Sequence, residues 1–323
     1  MPRYSYENIV TVANLYYIER LTQKEIADRM GISRVAVTRM LKRADEEGLV
    51  QITVNRPLSD SLALALRLER ELGLRTVRVA ETGATVEDTL ENLGREGGDL
   101  LSRLALPGKR IGAAWSRTLS AMLPFVRRPS RPPLCVNELA GTYLDPSMPY
   151  GVSWKLAEKL GSPLETIPAP VLVQSAQAKA VIVAEKPVAT AFEHAARVDV
   201  AFVGIGDLSP DSSLRRTGYM DDEQLRELEA KGAVGDILMR YFDARGRRVP
   251  VSFEDRIVSL EWPRIRELPF VVGIAFGPSK LAALRGAIQG RLIHALVTDR
   301  ATAEALLEPG RPGFPQESGR DGA

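Results

Sequence analysis

Apolar residues recur every three or four positions in three successive segments near the start of the chain, which predicts three short helices. The second helix begins at Gln23, because Thr22 and Glu25 have the spacing of a capping box, and Gly31 ends it. Ser33 caps the third helix. The apolar positions of the first helix are Ile9, Val12, Ala13, Tyr16 and Tyr17.

The third predicted helix has two contrasting faces. Five basic residues and no acidic one lie from Arg29 to Arg43, and four apolar residues of the helix share the face opposite its basic side chains. Two short helices joined by a glycine turn, the second with a basic outer face, are typical of a helix-turn-helix. The alternating segment LVQITVN (49–55) predicts a strand, which would form the wing of a winged helix-turn-helix. The apolar side of the third helix consists of Val37, Met40, Leu41 and Ala44.

A helix of this kind enters the major groove of DNA, where its early residues reach base edges and flanking cations meet phosphates. A charge run alone is more often a solvated face, but the cap, the turn, the basic helix and the strand coincide here. We therefore predict that DNA is bound by Thr22, Gln23, Ser33, Arg34, Val35, Thr38, Arg39, Lys42 and Arg43.

From Thr76 onward, short apolar strands alternate with amphipathic helices, which implies parallel strands with crossover helices on both faces and hence an α/β fold. One alanine-rich helix is predicted near residues 178–197. We expect a DNA-binding domain at 1–55, a linker with an oligomerisation or docking helix at 56–75, an α/β domain at 76–309 and a disordered tail at 310–323.

Composition limits the remaining possibilities. A chain of 323 residues is long enough for two domains, and a net charge of +2 means that any cationic surface must be local. Cys135 is the single cysteine, and His194 and His294 lie far apart in the sequence, so we expect no disulfide, metal or cofactor. The N-terminus lacks an apolar signal core, and no apolar run approaches the roughly 20 residues that span a bilayer. The predicted location is cytoplasmic.

Small and hydroxyl-bearing residues follow several predicted strands. Ligands of parallel sheets bind at the carboxyl ends of strands, where helix N-termini attract anions. Asp236 is a candidate for binding sugar hydroxyls, and Arg215 and Arg216 are candidates for binding a phosphate. The alternatives are ordinary turn glycines, a cap role for Asp236 and solvated charge for the arginines. The other candidates are Trp115, Ser116, Arg117, Thr118, Gly141, Gly204, Gly206, Gly277, Ser279 and Lys280.

Several segments, in one order from about Ile9 to Leu307, resemble the SorC family of bacterial sugar-responsive transcription regulators. The resemblance implies a winged helix-turn-helix joined to a Rossmann-like α/β effector domain, similar to glucosamine-6-phosphate deaminase and ribose-5-phosphate isomerase. It also implies a sugar or phosphosugar effector and a homotetramer, a dimer of dimers, on double-stranded operator DNA. The segments include LTQKEIADRMGISRVAVTRMLKRADEEGLVQI, AWSRTL, FVGIGDLSPDSSLRRTGY, GAVGDILMRYFDARGR and FGPSKLAALRGAIQGRLIHALVTDRATAEALL.

Carried over to this chain, the family's pocket falls on candidates already chosen from the strand ends. Two departures bear on the identity of the effector. Phe276 and Gly277 stand where many relatives have a double glycine, and Ala140 and Thr142 stand where relatives often have two glycines or a basic residue. The pocket implied by the resemblance consists of Trp115, Ser116, Arg117, Thr118, Gly141, Gly204, Gly206, Asp236, Ser279 and Lys280.

The leading hypothesis is a regulator whose operator affinity changes when a sugar, sugar alcohol or sugar phosphate binds the α/β domain. The segments NRPLSD and SLALALRLERELG are the expected moving part. An alternative is a sugar-phosphate isomerase or deaminase with a DNA-binding head, in which Glu138, Asp207 and Asp236 are the candidate acids and bases. A third hypothesis is an architectural DNA-binding protein whose large domain only oligomerises.

Overall fold

The chain divides into two units, Met1–Leu58 and Ser59–Ala323. The computed structural model describes residues 4–50, 59–142 and 151–308. The predicted wing strand (49–55), the NRPLSD segment and the tail (310–323) therefore lie wholly or largely outside the described residues.

The first unit contains three helices, α1 (Tyr6–Tyr17), α2 (Gln23–Met30) and α3 (Arg34–Glu46). The capping box of Thr22 and Glu25 starts α2, and Gly31 ends it with a φ of 65°. Ser33 caps α3 by accepting a hydrogen bond from the backbone N–H of Ala36 at 3.2 Å. The three helices share one apolar core, which determines the face of α3 that is left outward. The core includes Ile9, Val12, Ile26, Val37, Met40 and Ala44.

The strands of the second unit are β1 (Thr76–Ala80), β2 (Arg110–Ala113), β3 (Cys135–Glu138), β4 (Leu164–Glu165), β5 (Val200–Gly204), β6 (Ala233–Ile237), β7 (Arg240–Asp243), β8 (Val271–Ile274) and β9 (Ala295–Asp299). Seven of them form one sheet in the order β1-β9-β8-β5-β2-β3-β4, and every neighbouring pair is parallel. Strands β6 and β7 form a separate antiparallel hairpin. The predicted parallel α/β fold is confirmed.

The helices of the second unit are α4 (Asp60–Leu72), α5 (Val86–Leu104), α6 (Arg117–Met122), α7 (Val152–Leu160), α8 (Ala176–Ala184), α9 (Lys186–Ala195), α10 (Ser213–Arg216), α11 (Asp222–Ala230), α12 (Trp262–Glu267), α13 (Leu281–Gln289) and α14 (Arg300–Leu307). They cover both faces of the sheet. In β5, Phe202 packs with α5, α6 and α7, whereas Ala201 and Val203 pack with α4, α9 and α13. Because both faces are covered, the strand ends are where a ligand can reach the sheet.

Two segments differ from the sequence prediction. The helix predicted near residues 178–197 is two helices, α8 and α9, which are separated at Glu185 with an extended ψ of 127°. Pro187 explains the break, because proline lacks the N–H of a continuous helix and its ring clashes with the preceding turn. The segment around Asp236, for which no strand is predicted, forms the β6–β7 hairpin. Its turn contains Leu238 and Met239, both with positive φ, so the usual glycine signal of a hairpin is missing.

Candidate functional site

The outward face of α3 carries the side chains predicted to contact DNA. Val35 is 60% exposed although it is apolar, and it lies beside a basic residue, Arg34. An exposed valine of this kind fits contact with the methyl group of thymine, which lies in the major groove. The exposed residues of this face are Ser33, Arg34, Val35, Thr38, Arg39, Lys42 and Arg43.

The basic residues of α3 differ in their ion pairs. Lys42 Nζ lies 3.4 Å from Glu46 Oε1, and the guanidinium of Arg43 pairs with the carboxylate of Glu47. Within the described part of the chain, Arg34 and Arg39 form no ion pair. Their guanidinium groups are therefore available for phosphates or for the edges of guanine bases.

Thr22 and Gln23 have structural roles at the start of α2. The Thr22 hydroxyl accepts a hydrogen bond from the N–H of Glu25 at 3.3 Å, and the Thr22 N–H donates to the Glu25 carboxylate at 2.7 Å. The Gln23 side-chain oxygen accepts a hydrogen bond from the Thr38 hydroxyl at 3.0 Å. This last bond joins α2 to the outward face of α3 and holds the two helices in register.

A cavity of about 400 Å³ opens at the carboxyl ends of β2, β5 and β8. Its wall is completed by α5, by α10 and by the β6–β7 hairpin, and its volume is in the range of small-molecule sites. The structure brings most of the predicted pocket residues together here. Those on the wall are Trp115, Ser116, Arg117, Thr118, Gly204, Gly206, Arg216, Asp236, Gly277, Ser279 and Lys280.

A buried carboxylate, that of Asp207, organises one side of the cavity. Its Oδ2 lies 3.0 Å from Nζ of Lys280 and accepts a hydrogen bond from the Ser279 hydroxyl at 2.9 Å. Its Oδ1 accepts from the N–H and the hydroxyl of Ser209 at 3.0 and 2.7 Å. Burial raises the pKa of Asp207, but the charge of Lys280 and these hydrogen bonds outweigh burial and hold the pKa below its ordinary value. Asp207 is therefore ionised and keeps Lys280 and Ser279 in position.

Asp236, on β6, is a second buried carboxylate and lies against Gly206. The Gly206 N–H donates to the backbone oxygen of Asp236 at 2.9 Å, and a Cβ at position 206 would lie 1.7 Å from Asp236 Oδ1. Only glycine permits this approach. Burial raises the pKa of Asp236 to about 6, and the charge of Asp207 adds to the rise while the Met239 N–H and Lys280 oppose it. Asp236 therefore titrates near neutral pH and can accept or donate a hydrogen bond to a sugar hydroxyl.

The turn after β2 presents two hydroxyl groups to the cavity. Ser116 caps α6 by accepting a hydrogen bond from the Leu119 N–H at 2.9 Å, and its hydroxyl lies 2.9 Å from that of Thr118. Thr118 donates to the backbone oxygen of Ile274 at 3.1 Å, which joins this turn to the end of β8. A Cβ at Gly204 would lie 2.7 Å from the Cβ of Ser116, so glycine at this position lets the ends of β2 and β5 approach closely.

Two arginines on the cavity wall contrast with a third that is not on it. Arg117 and Arg216 are exposed, and neither forms an ion pair with the residues that the structure describes. Arg215 instead pairs with Asp222 at 2.7 Å and does not line the cavity, because successive helical residues point in different directions. Gly141 does not line it either. It is buried against residues outside the cavity wall, and a Cβ at this position would lie 2.6 Å from the backbone oxygen of Ala169.

The predicted pocket omits several residues that line the cavity. Asp207, Ser209 and Ser212 follow β5 in the polar run DLSPDSS, which is the signal that could have indicated them as pocket residues. The sequence named Asp207 only as a candidate acid or base of the enzyme alternative. The Ser212 hydroxyl is buried and has no hydrogen-bond partner in the described residues. Val86 and Leu90 on α5 also line the cavity, but their sequence pattern indicates only a helix.

Two structural tests concern metals and membranes. Among residues 4–50, 59–142 and 151–308, no three His, Cys, Asp or Glu side chains come together as a metal site requires. No helix in these same ranges is long and apolar enough to cross a bilayer. Cys135 is buried, and burial raises the pKa of its thiol to about 11, so the thiol is protonated.

Comparison with known proteins extends over both units. Residues 56–308 match the family described as "Putative sugar-binding domain", and residues 10–57 match the MarR family. The chain is 32% identical over 310 residues to the sorbitol operon regulator of Klebsiella pneumoniae, with 93% of this chain and 97% of that protein covered. It is 28% identical over 297 residues to the erythritol catabolism regulatory protein EryD of Brucella abortus (strain 2308), with 91% and 94% covered. Both relatives are regulators by name.

A solved structure of a regulator is also similar to this chain over both units. The crystal structure of the full-length sorbitol operon regulator SorC from Klebsiella pneumoniae aligns with a TM-score of 0.73 and 29% identity, and the alignment covers 95% of this chain and 100% of that one. The match includes both the helix-turn-helix and the parallel sheet, so it confirms the resemblance stated from the sequence.

Proposed function

This chain belongs to the SorC family of sugar-responsive transcription regulators, and we propose that its effector is a phosphorylated sugar or sugar alcohol bound at the carboxyl ends of β2, β5 and β8. The observation that carries the proposal is the pair Arg117 and Arg216, two exposed arginines on the cavity wall without an acidic partner in the described residues. An arginine binds a phosphate with two parallel N–H donors, and such pairs are among the strong hydrogen bonds of proteins.

The other polar groups of the cavity suit the sugar part of the effector. Lys280 is already paired with the ionised Asp207, so its charge is largely neutralised before any ligand binds. Asp236 offers a carboxyl group that can accept or donate a hydrogen bond, and Ser212 offers a buried hydroxyl with no partner in the described ranges. We therefore expect the arginines to bind the phosphate and these groups to bind sugar hydroxyls.

For the first unit, we propose that α3 enters the major groove. Arg34, Val35 and Arg39 would contact base edges, and Lys42 and Arg43 would contact phosphates. Helix-turn-helix proteins read two half-sites about one helical turn apart, so the proposal includes paired heads. The family resemblance extends this proposal to a homotetramer. We also propose a cytoplasmic location, because a regulator that binds an operator acts where the bacterial chromosome lies.

The test measures operator binding by the full chain. A duplex selected by the protein from a random pool is titrated by fluorescence anisotropy at one fixed salt concentration, because affinity for DNA depends strongly on salt. The panel consists of sorbitol, erythritol, sorbitol 6-phosphate, erythritol 4-phosphate and ribose 5-phosphate. We expect at least one phosphorylated compound to shift the midpoint about tenfold, which corresponds to about 1.4 kcal/mol of coupling.

Neighbouring arginines provide a matched control. Arg117→Ala and Arg216→Ala should each weaken effector binding about tenfold, the loss of one charge-assisted contact. Arg215→Ala should leave it unchanged, since Arg215 pairs with Asp222 away from the cavity. An unphosphorylated alcohol that shifts the midpoint as strongly as its phosphate would contradict the phosphate assignment. Turnover of a panel phosphate, followed in the same samples by phosphorus NMR, would support the isomerase or deaminase alternative instead.

A further inference from the structure

The loop after β8 lines the cavity and also contacts α14. The N–H of Gly277, a residue with a φ of 97°, donates to the Thr302 hydroxyl at 2.8 Å. Thr302 is buried, and its own N–H donates to Asp299 Oδ1 at 3.2 Å, which caps α14. A displacement of this loop by a bound effector would therefore act directly on the first turn of α14.

The first residue of α14, Arg300, reaches from there to α4. Its Nε and one terminal nitrogen donate to the two carboxylate oxygens of Glu81 at 3.0 and 2.8 Å. The other terminal nitrogen lies 3.6 Å from Oδ2 of Asp60, the first residue of α4. The next residue of α4, Ser61, donates its hydroxyl to the same Glu81 carboxylate. One guanidinium group thus joins α14, the end of β1 and the first turn of α4.

The first turn of α4 and the rest of the helix are held by different kinds of contact. In the C-terminal half, Leu68 is fully buried, and the Glu69 carboxylate accepts a hydrogen bond from a backbone N–H of β1 at 2.7 Å. The N-terminal half also packs in the core at Leu64 and Ala65, but the first turn precedes these residues and is held by the polar contacts centred on Arg300. Exposed ion pairs contribute little stability and can be replaced by contacts with water, whereas buried apolar side chains are tightly packed and resist displacement. The first turn of α4 is therefore the part that can shift.

We propose that Arg300 is a positioning residue that couples effector occupancy of the cavity to the first turn of α4. In the sequence, residues 51–58 separate the helices of the DNA-binding unit from this turn, so a shift of Asp60 moves the end of the segment that joins the two. The inference rests on the proposed function, because it assigns the route by which the same cavity regulates operator binding. It adds a residue that does not line the effector cavity.

The test separates coupling from binding. In the full chain, Arg300→Ala is compared with the wild type and with Arg264→Ala, a matched exposed arginine that pairs with Glu267 at 2.8 Å. For each protein we would measure the operator Kd alone, the Kd of each panel phosphate, and the operator Kd at saturating phosphate. The panel phosphates are sorbitol 6-phosphate, erythritol 4-phosphate and ribose 5-phosphate.

We expect Arg300→Ala to keep the Kd of the active phosphate within about threefold of the wild type while the operator shift falls from about tenfold to below about threefold. Arg264→Ala should keep the full shift. Arg300→Lys keeps a positive charge opposite both Glu81 and Asp60 and should retain an operator shift above about threefold, which a merely damaged fold would not do. Hydrogen exchange over residues 60–66 should respond to the phosphate in the wild type and not in Arg300→Ala.

Two results would overturn the inference alone: a full operator shift in Arg300→Ala, or a parallel loss of phosphate binding in that variant. Failure of the proposed function is distinct, because in that case the wild type binds its duplex and no panel compound changes the midpoint; the inference then fails with it.

Discussion

The two candidate sites use charge in opposite ways. On α3, Arg34 and Arg39 are exposed and have no acidic partner among the described residues, whereas in the cavity Lys280 is 25% exposed and paired with Asp207, which is 5% exposed. An exposed cation needs no partner, because water solvates it, and its attraction to DNA falls as salt increases. A buried pair must stay complete, since removing one partner leaves an uncompensated charge. Substitutions on α3 should therefore change affinity only, whereas substitutions in the cavity should also change stability.

The largest effect is expected from Asp207→Ala. Lys280 and two serine hydroxyls would lose their acceptor, and the second unit should lose about 2–3 kcal/mol of unfolding free energy, the low end for buried pairs because Lys280 is partly exposed. Urea unfolding followed by tryptophan fluorescence measures this unit alone, because all three tryptophans lie in it: Trp115, Trp154 and Trp262. Asp207→Asn should lose less unfolding free energy than Asp207→Ala. A loss below about 1 kcal/mol would mean that the pair behaves like a surface pair.

The next effect is the pH dependence that Asp236 contributes. Its native pKa of about 6 lies above the value of 3.8 expected for an unfolded chain, so the native state binds the proton more tightly. The unfolding free energy should therefore decrease as pH rises through this window and be lowest above about pH 6. Asp236→Asn should be more stable than the wild type by about 2 kcal/mol at pH 7.5, and the difference should shrink toward pH 4.5. Parallel stability curves for the two proteins would contradict the assigned pKa.

Arg39→Ala should have a smaller effect, confined to DNA. Loss of one guanidinium contact should weaken operator binding about tenfold, near 1.4 kcal/mol, and Arg34→Ala should behave similarly. Effector Kd should not change, and neither should the urea midpoint of the first unit followed by circular dichroism, because both side chains are exposed and unpaired in the described residues. Arg29→Ala is the matched control, since Arg29 pairs with Glu19 at 3.0 Å. Equal losses of operator and effector binding would show that α3 is not the DNA-binding face.

The smallest effect is expected from Lys42→Ala. A phosphate contact carries no sequence information, so affinity should fall by a similar factor for every duplex, and the slope of log K against log salt should decrease by about 1. The urea midpoint of the first unit, followed by circular dichroism, should stay the same, because the side chains of the Lys42–Glu46 pair are 76% and 61% exposed. A base-dependent loss at one operator position would place Lys42 at a base edge rather than at the backbone.

The sequence by itself determined the elements whose ends depend on near neighbours. The capping box of Thr22 and Glu25, the glycine after α2 and the serine before α3 act within a few residues, so local pattern was enough to predict α2, α3 and the outward basic face. The alternation of strands and helices likewise predicted that the sheet is parallel, because a helix between two strands carries the chain back to begin the second strand in the same direction. The α8–α9 break and the β6–β7 hairpin were missed, since one depends on a single proline and the other on a turn without glycine.

Only the tertiary structure decided which strand-end residues form the cavity. Asp207 and Ser279 are 72 residues apart in the sequence and meet because β5 and β8 are neighbours in the sheet. Gly206 and Asp236 meet because the hairpin lies against the end of β5, and Arg216 faces the cavity while Arg215 turns away. Gly141 follows β3 in the same manner as the other candidates, yet it lies outside the wall. The physical reason is that strand order and helix rotation determine these contacts, and neither is encoded by spacing along the chain.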